Sequence, residues 1–339
     1  MSLQSTPVDA KNGDVTVDVT CDRIDVHAHY LPSFYRQALI DAGYSHPDGI
    51  RSIPEWDADS SIRVMDSLGV AFAILSISSP GVHFGEDMNA RALARRVNEE
   101  GRRLSEAYPE RFGYFAALPL PDVTAAIAEA VYALDILQAD GVVLETNHHG
   151  LYLGDPKLDP IYAELNGRKA VIFLHPTSPA CTCCERLNQR YPRPMLEFMF
   201  ETTRSVSDMV LAGVLERFPD LRVIVPHAGA ALPVLVERIE LLLPMLSEQG
   251  TAPSIRDAMR KLHFDLAGAP VPQLLEALLQ MADPERIHYG SDYPFTPAGA
   301  CERLLRQIEA TPLLDDAMRN RILRENARAL FPRIDNTVM

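Results

Sequence analysis

Two histidines separated by one alanine close the apolar run in "RIDVHAHYLP", residues 23–32. Side chains along a strand alternate between faces, so His27 and His29 share one face and can grip a single cation between them. Three more metal-competent side chains follow at the ends of other short apolar runs: His175 in "FLHP", His227 in "VPHAG" and Asp292 in "YGSDYP". Neutral imidazoles with a carboxylate are donors for zinc, and manganese and iron accept similar sets. A set that leaves one position for water or substrate is of the catalytic type. A single histidine at a strand end is more often a packed or hydrogen-bonding residue than a ligand. Five such groups recurring at run ends form a pattern that packing alone does not explain.

The elements that must position them alternate regularly. Eight short apolar runs occupy 23–27, 71–77, 113–120, 141–145, 170–176, 221–229, 262–268 and 286–294. Their near-continuous hydrophobicity suits strands buried on both faces of a parallel sheet. Amphipathic stretches lie between them. Asp122 is placed to cap a helix over 122–139, and Gly69 to stop one over 57–68. Other helices are expected near 86–107, 159–168, 195–217, 231–247, 270–282, 298–310 and 315–329. Eight such units predict an α/β fold, a (β/α)8 TIM-like barrel, whose C-terminal strand ends converge on one mouth. An open doubly wound sheet fits less well, because HAHYLP follows the first strand where a Gly-rich phosphate turn would stand. Two connections are long, 30–56 after strand 1 and 177–194 after strand 5, and long loops shape the mouths of barrels. The second, "TSPACTCCERLNQRYPRP", is too rich in Pro, Ser, Thr and Cys for regular structure. Residues 21–335 read as one barrel domain, preceded by a flexible polar tail over 1–20.

Composition narrows the partners. The chain has 339 residues, 47% hydrophobic and 23% charged, which is ample for a large core, and its formal net charge is −14. An acidic surface repels phosphate backbones and anionic lipid, so neither nucleic acid nor a membrane is expected as partner. No apolar run approaches the ~20 residues that span a bilayer. The five cysteines, Cys21, Cys181, Cys183, Cys184 and Cys301, are odd in number and sparse, which suggests no disulfide framework and a cytoplasmic setting. The CTCC cluster lacks a distant partner to complete a tetrahedral cage. No organic-cofactor motif is present, so one divalent metal ion must do the electrophilic work.

The motifs "IDVHAHYLP", "FLHP", "PHAGAALP", "GSDYPF" and "ENARALF" resemble the aminocarboxymuconate-semialdehyde decarboxylase branch of the amidohydrolase superfamily. Within that branch, "LETNHHGLYLGDPKLDPIYAELNGRKAVIFLHPTSPAC" is most similar to the 6-methylsalicylate decarboxylase-like proteins. The resemblance covers the chain from residue 23 onward. It implies that His27, His29, His175 and Asp292 hold one metal and that His227 is the acid/base residue, with Asp292 assisting. Glu145, Thr146 and Asn147 stand where two-metal members carry a bridging lysine, which argues for a mononuclear site. Resorcylate-type decarboxylases tend to carry Glu-x-His on the first strand, where this chain has His-x-His. The resemblance further implies Arg51 as a fork for the substrate carboxylate, His148 as a substrate contact, and Arg238 as a residue reaching a neighbouring subunit in a homodimer. Trp56 and Phe295 are candidates to stack on an aromatic ring. The expected reaction is loss of CO2 from a small, salicylate-type carboxylic acid. Metal-assisted hydrolysis of a lactone or amide is the alternative, since the same ligands would activate water.

Overall fold

The computed structural model describes residues 22–180, 190–245 and 252–334. Eight parallel strands form one sheet in sequence order: β1 (Arg23–His29), β2 (Val70–Ser76), β3 (Phe112–Ala117), β4 (Gly141–Glu145), β5 (Val171–His175), β6 (Arg222–Val225), β7 (His263–Asp265) and β8 (Ile287–His288). Helices intervene, and β2 to β5 are buried along their whole length, as the apolar runs require. One continuous apolar core results, in which Phe115 and Phe173 stack at 5.2 Å.

Local chemistry fixes the helix ends. The Asp57 carboxylate accepts the Ser60 amide at 2.8 Å, and Gly69 stops the helix Ala58–Leu68 at φ 64°, a left-handed conformation that glycine adopts without steric cost. Asp122 likewise accepts from the Ala125 amide at the start of Val123–Val131, after which the chain continues as a π turn, Tyr132–Ile136. The connection after β1 has more structure than a loop: it contains the helix Ser33–Asp41 and the short turn Pro47–Gly49. In the connection after β5, Arg193–Met195 forms a 3-10 turn, while Cys181, Cys183 and Cys184 lie outside the described residues, as do Cys21 and the tail over 1–20. Among the described residues, no helix is long and apolar enough to cross a membrane.

The last strand is shorter than its apolar run, and the reason matters for the site. After His288 the chain leaves β7 and bonds back to β1: Val26 N–H donates to Tyr289 O at 3.0 Å, and His29 N–H to Tyr293 O at 2.8 Å. Between these bonds the His27 carbonyl accepts both Ser291 N–H at 3.2 Å and Asp292 N–H at 2.7 Å. This seam closes the barrel. Gly290 is the residue that lets the strands approach, since a Cβ there would lie 2.8 Å from the Cβ of His27. Gly290→Ala is therefore expected to cost about 1–3 kcal/mol in urea denaturation through overpacking. Gly299→Ala, where a Cβ would meet only the Arg303 guanidinium at 4.0 Å, should leave stability unchanged or raise it.

Candidate metal centre and active site

The barrel brings His27, His29, His175, His227 and Asp292 to one mouth. His29 Nε2 lies 3.1 Å from Asp292 Oδ1, His27 Nε2 lies 3.5 Å from the same oxygen, and His227 Nε2 lies 3.9 Å from Oδ2. The ring centroids of His27 and His29 are 5.0 Å apart, and those of His29 and His175 are 4.9 Å apart. Ligand atoms of His27, His29 and His175 fall within 4.8 Å of one another, as do those of His27, His227 and Asp292.

Two of these residues reach the mouth through backbone that side chains seldom adopt. His227 has φ 56° and Asp292 has φ 58°. Each such position costs on the order of 1–3 kcal/mol and persists only where its surroundings over-determine it. Here they do. The His227 amide donates to Asp265 Oδ1 at 3.0 Å, and the Asp292 amide is held by the seam.

Asp265, at the end of β7, was not singled out by the sequence reading, and it organises the centre. Its Oδ2 lies 2.9 Å from His27 Nδ1, while Oδ1 accepts the amides of His227 and Ala267. A carboxylate on one ring nitrogen fixes the tautomer and turns the other nitrogen toward a metal. The signal was present in "LHFDLAG": an acidic residue inside an apolar run must have a buried partner. Asp25 is a second such residue. Its Oδ1 accepts the amides of His27 and Ser291, tying both sides of the seam, and burial raises its carboxyl to about 6. On His29, Nδ1 is 3.0 Å from the Ser76 hydroxyl, which leaves Nε2 facing the cluster.

The electrostatics fit a cation. Burial opposes charge on His27, but Asp265 and Asp292 outweigh it and push the ring up to about 9, so this point calls for positive charge. Burial keeps His29 and His175 neutral, with their imidazolium forms disfavoured further by the neighbouring rings. Burial also opposes ionisation of Asp292, yet His227 and His29 beside it hold it well below the usual carboxylate range. Neutral imidazoles and an ionised carboxylate are the protonation states that metal ligands require. In addition, His27 Nε2, His175 Nδ1 and His227 Nδ1 are buried without a hydrogen-bond partner. Orphaned buried nitrogens are costly unless something else satisfies them. The donor set therefore fits one divalent metal.

Two chambers flank the cluster. The one containing His175, His227 and Asp292 has a volume of about 620 Å³ and walls that are largely apolar. Phe295 lines it, with its ring 5.4 Å from that of His29. The second chamber, about 480 Å³, is polar and lined by Glu145, His148, His149 and Arg193 among others. His148 faces this second chamber because Asn147–His148 turns into a small hairpin with Leu151–Tyr152. It is buried, with Nε2 unpartnered, and burial lowers its ring to about 3. Glu145 lies between the chambers with Oε2 3.5 Å from His175 Nδ1, and burial together with Asp48 raises its carboxyl well above the ordinary value.

The structure does not bring the remaining candidates to the apolar chamber. Arg51 is exposed, and its neighbours Ile50 and Ser52 line the wall in its place. Trp56 packs against Tyr30 and Phe112 at 6.3 and 6.5 Å. Arg238 is exposed on the outer helix Leu232–Leu242.

An eight-stranded parallel barrel with imidazoles and a carboxylate gathered at its strand ends defines a class of metal-dependent enzymes. The chain belongs to the amidohydrolase family, whose model matches residues 24–333. It is 38% identical over 322 residues to a 6-methylsalicylic acid decarboxylase of Aspergillus aculeatus, covering 92% of this chain and 96% of that protein. A crystal structure described as an amidohydrolase II superposes with a TM-score of 0.87 at 35% identity, over 91% of this chain and 99% of the other. A 2,6-dihydroxybenzoate decarboxylase solved with 2,6-dihydroxybenzoate superposes at 0.78 with 25% identity, over 92% and 99% of the two chains.

The role of Asp265 is open to direct measurement. Asp265→Asn is expected to weaken metal affinity about 10–100-fold in a chelator competition assay. His148→Ala, in the other chamber, should leave affinity unchanged.

Proposed function

We propose that this chain is a metal-dependent decarboxylase that removes the carboxyl group of a small hydroxylated aromatic acid, of the salicylate type, as CO2. One observation carries the reading: His27, His29, His175 and Asp292 converge beside His227 at the end of an apolar chamber with room for a substituted aromatic ring. The similarity to a 6-methylsalicylic acid decarboxylase along nearly the whole chain supports the same chemistry.

His27, His29, His175 and Asp292 are proposed to hold the metal, which when bound supplies a Lewis acid that orients the oxygen substituents of the substrate. His227 lines the same chamber and stands beside Asp292, placed to deliver a proton to the ring carbon that bears the carboxylate. That addition interrupts aromaticity. The carbon–carbon bonding pair then returns to the ring as CO2 leaves, so one proton is consumed for each CO2 released. Asp292 stays ionised beside it. Phe295, beside His29, is proposed to bound one side of the ring.

Zinc is the proposed metal, because three imidazoles and a carboxylate are among its common donors; manganese and iron are the alternatives that metal analysis separates. The proposed assembly is a cytoplasmic homodimer, in which Arg238, exposed on its outer helix, would reach the neighbouring subunit. Arg51 and His148 are proposed as outer substrate contacts, and Trp56 as a support for the loop that carries Arg51.

The test is turnover of salicylate-type acids followed by ultraviolet absorbance and by pH-stat. Decarboxylation consumes a proton, whereas opening a lactone would release acid. His227→Asn should retain its metal and lose on the order of 10²–10⁴-fold in kcat. Wild-type turnover in that variant would remove His227 from the mechanism.

A further inference from the structure

The apolar chamber is larger than a methylated salicylate needs. A cavity of ~150 Å³ lined by apolar side chains is enough to hold benzene. The chamber beside the metal cluster is about 620 Å³. A ring with its carboxyl, hydroxyl and methyl groups therefore leaves much of it unfilled.

The walls indicate what fills the rest. Polar lining groups near the cluster are already engaged: the Thr296 hydroxyl donates to Asp292 at 3.2 Å, Ser79 bonds Thr177 at 2.7 Å, and Ser78 lies 3.3 Å from His175 Nε2. Among the described residues, no lysine or arginine lines this chamber, so nothing there pairs with a second carboxylate. Asp48, bonded by the Ser178 hydroxyl, and Ser52 also line the chamber, and the rest of its surface includes Ile50, Phe198, Met199, Pro270 and Leu274. Phe198 stands 6.3 Å from the ring of His175 and Phe295 stands 5.4 Å from that of His29, so aromatic walls flank the ligand end. Met199 and Leu274 extend the apolar surface on the helices Glu197–Leu211 and Gln273–Met281. Methionine is well suited to such a wall, because its unbranched thioether adapts to chains of different length.

We infer that the acid taken here carries an apolar substituent longer than methyl: a 2-hydroxybenzoate bearing a short alkyl chain, propyl to pentyl, laid against Phe198, Met199 and Leu274. This rests on the decarboxylase reading for the chemistry but not for the binding. Each methylene moved from water to the wall strengthens transition-state and ground-state binding alike, which raises kcat/KM without requiring a change in kcat.

The experiment compares 4- and 6-substituted salicylates with methyl, propyl and pentyl groups as substrates of the metal-loaded enzyme. Calorimetric titration of 3-methyl-, 3-propyl- and 3-pentylphenol, which have no carboxylate to lose, is run in parallel. At one ring position at least, kcat/KM should rise about fourfold per added methylene, and phenol Kd should fall in step. Leu274→Trp should reduce the pentyl-to-methyl ratio of kcat/KM at least tenfold, mainly through KM; Met199→Trp serves if that variant does not fold. Turnover of the methyl acid with kcat/KM falling along both chain series overturns the inference and leaves the decarboxylase standing. If no acid loses CO2, the decarboxylase reading fails and the phenols decide: affinity that grows with chain length supports the alkyl site, and flat affinity overturns it.

Discussion

The carbonyl oxygen of His27 accepts two amide hydrogens from the far end of the chain, those of Ser291 and Asp292. That bifurcated contact has two consequences. It closes the barrel, because β8 itself pairs only with β7 and the return to β1 runs through residues 289–293. It also holds Asp292 in a left-handed conformation that delivers the carboxylate to His29 Nε2. The contact that closes the barrel therefore also positions Asp292 within the histidine cluster. Asp25 reinforces it from below, with a single oxygen that accepts the amides of His27 and Ser291. A carboxyl group buried this deeply is tolerable because two backbone amides and the Ser291 side chain hydrogen-bond to it.

The chemistry follows from the contrast between the two ends of the apolar chamber. At one end, burial keeps His29 and His175 neutral while neighbouring histidines keep Asp292 ionised. Over the rest of the chamber, aliphatic and aromatic side chains make up most of the surface. Phe198 and Phe295 stand on either side of the cluster end of that chamber, 6.3 and 5.4 Å from the rings of His175 and His29. The neighbouring polar chamber lies beyond Glu145, and Asp48 lines both spaces.

Much of this was legible in the sequence, and the exceptions have physical causes. The eight apolar runs correspond to the eight strands, since strands buried on both faces are written as continuous hydrophobic stretches. His27, His29, His175, His227 and Asp292 were legible because each follows such a run at the end that a barrel turns toward its mouth. Asp265 sits at an equivalent place, but a carboxylate bound to a histidine ring and to amides has no periodic signature of its own. His148 follows the fourth run, and the small hairpin that turns it into the polar chamber depends on pairing with Tyr152 and Leu151. Trp56 carries the same aromatic cue as Phe295. Only the path of the chain after the helix Ser33–Asp41 sends it to Phe112 rather than to the chamber.

The two oxygens of Asp265 serve different masters. One holds the ring of His27, and the other holds the backbone of His227. The group proposed to carry the proton and a group proposed to anchor the metal are therefore joined through a single rigid side chain. Their separation is inherited as a unit, and neither can drift without dragging the other. For anyone redesigning this enzyme, diversity is best introduced along the chamber walls, because the seventh strand works as a fixed jig.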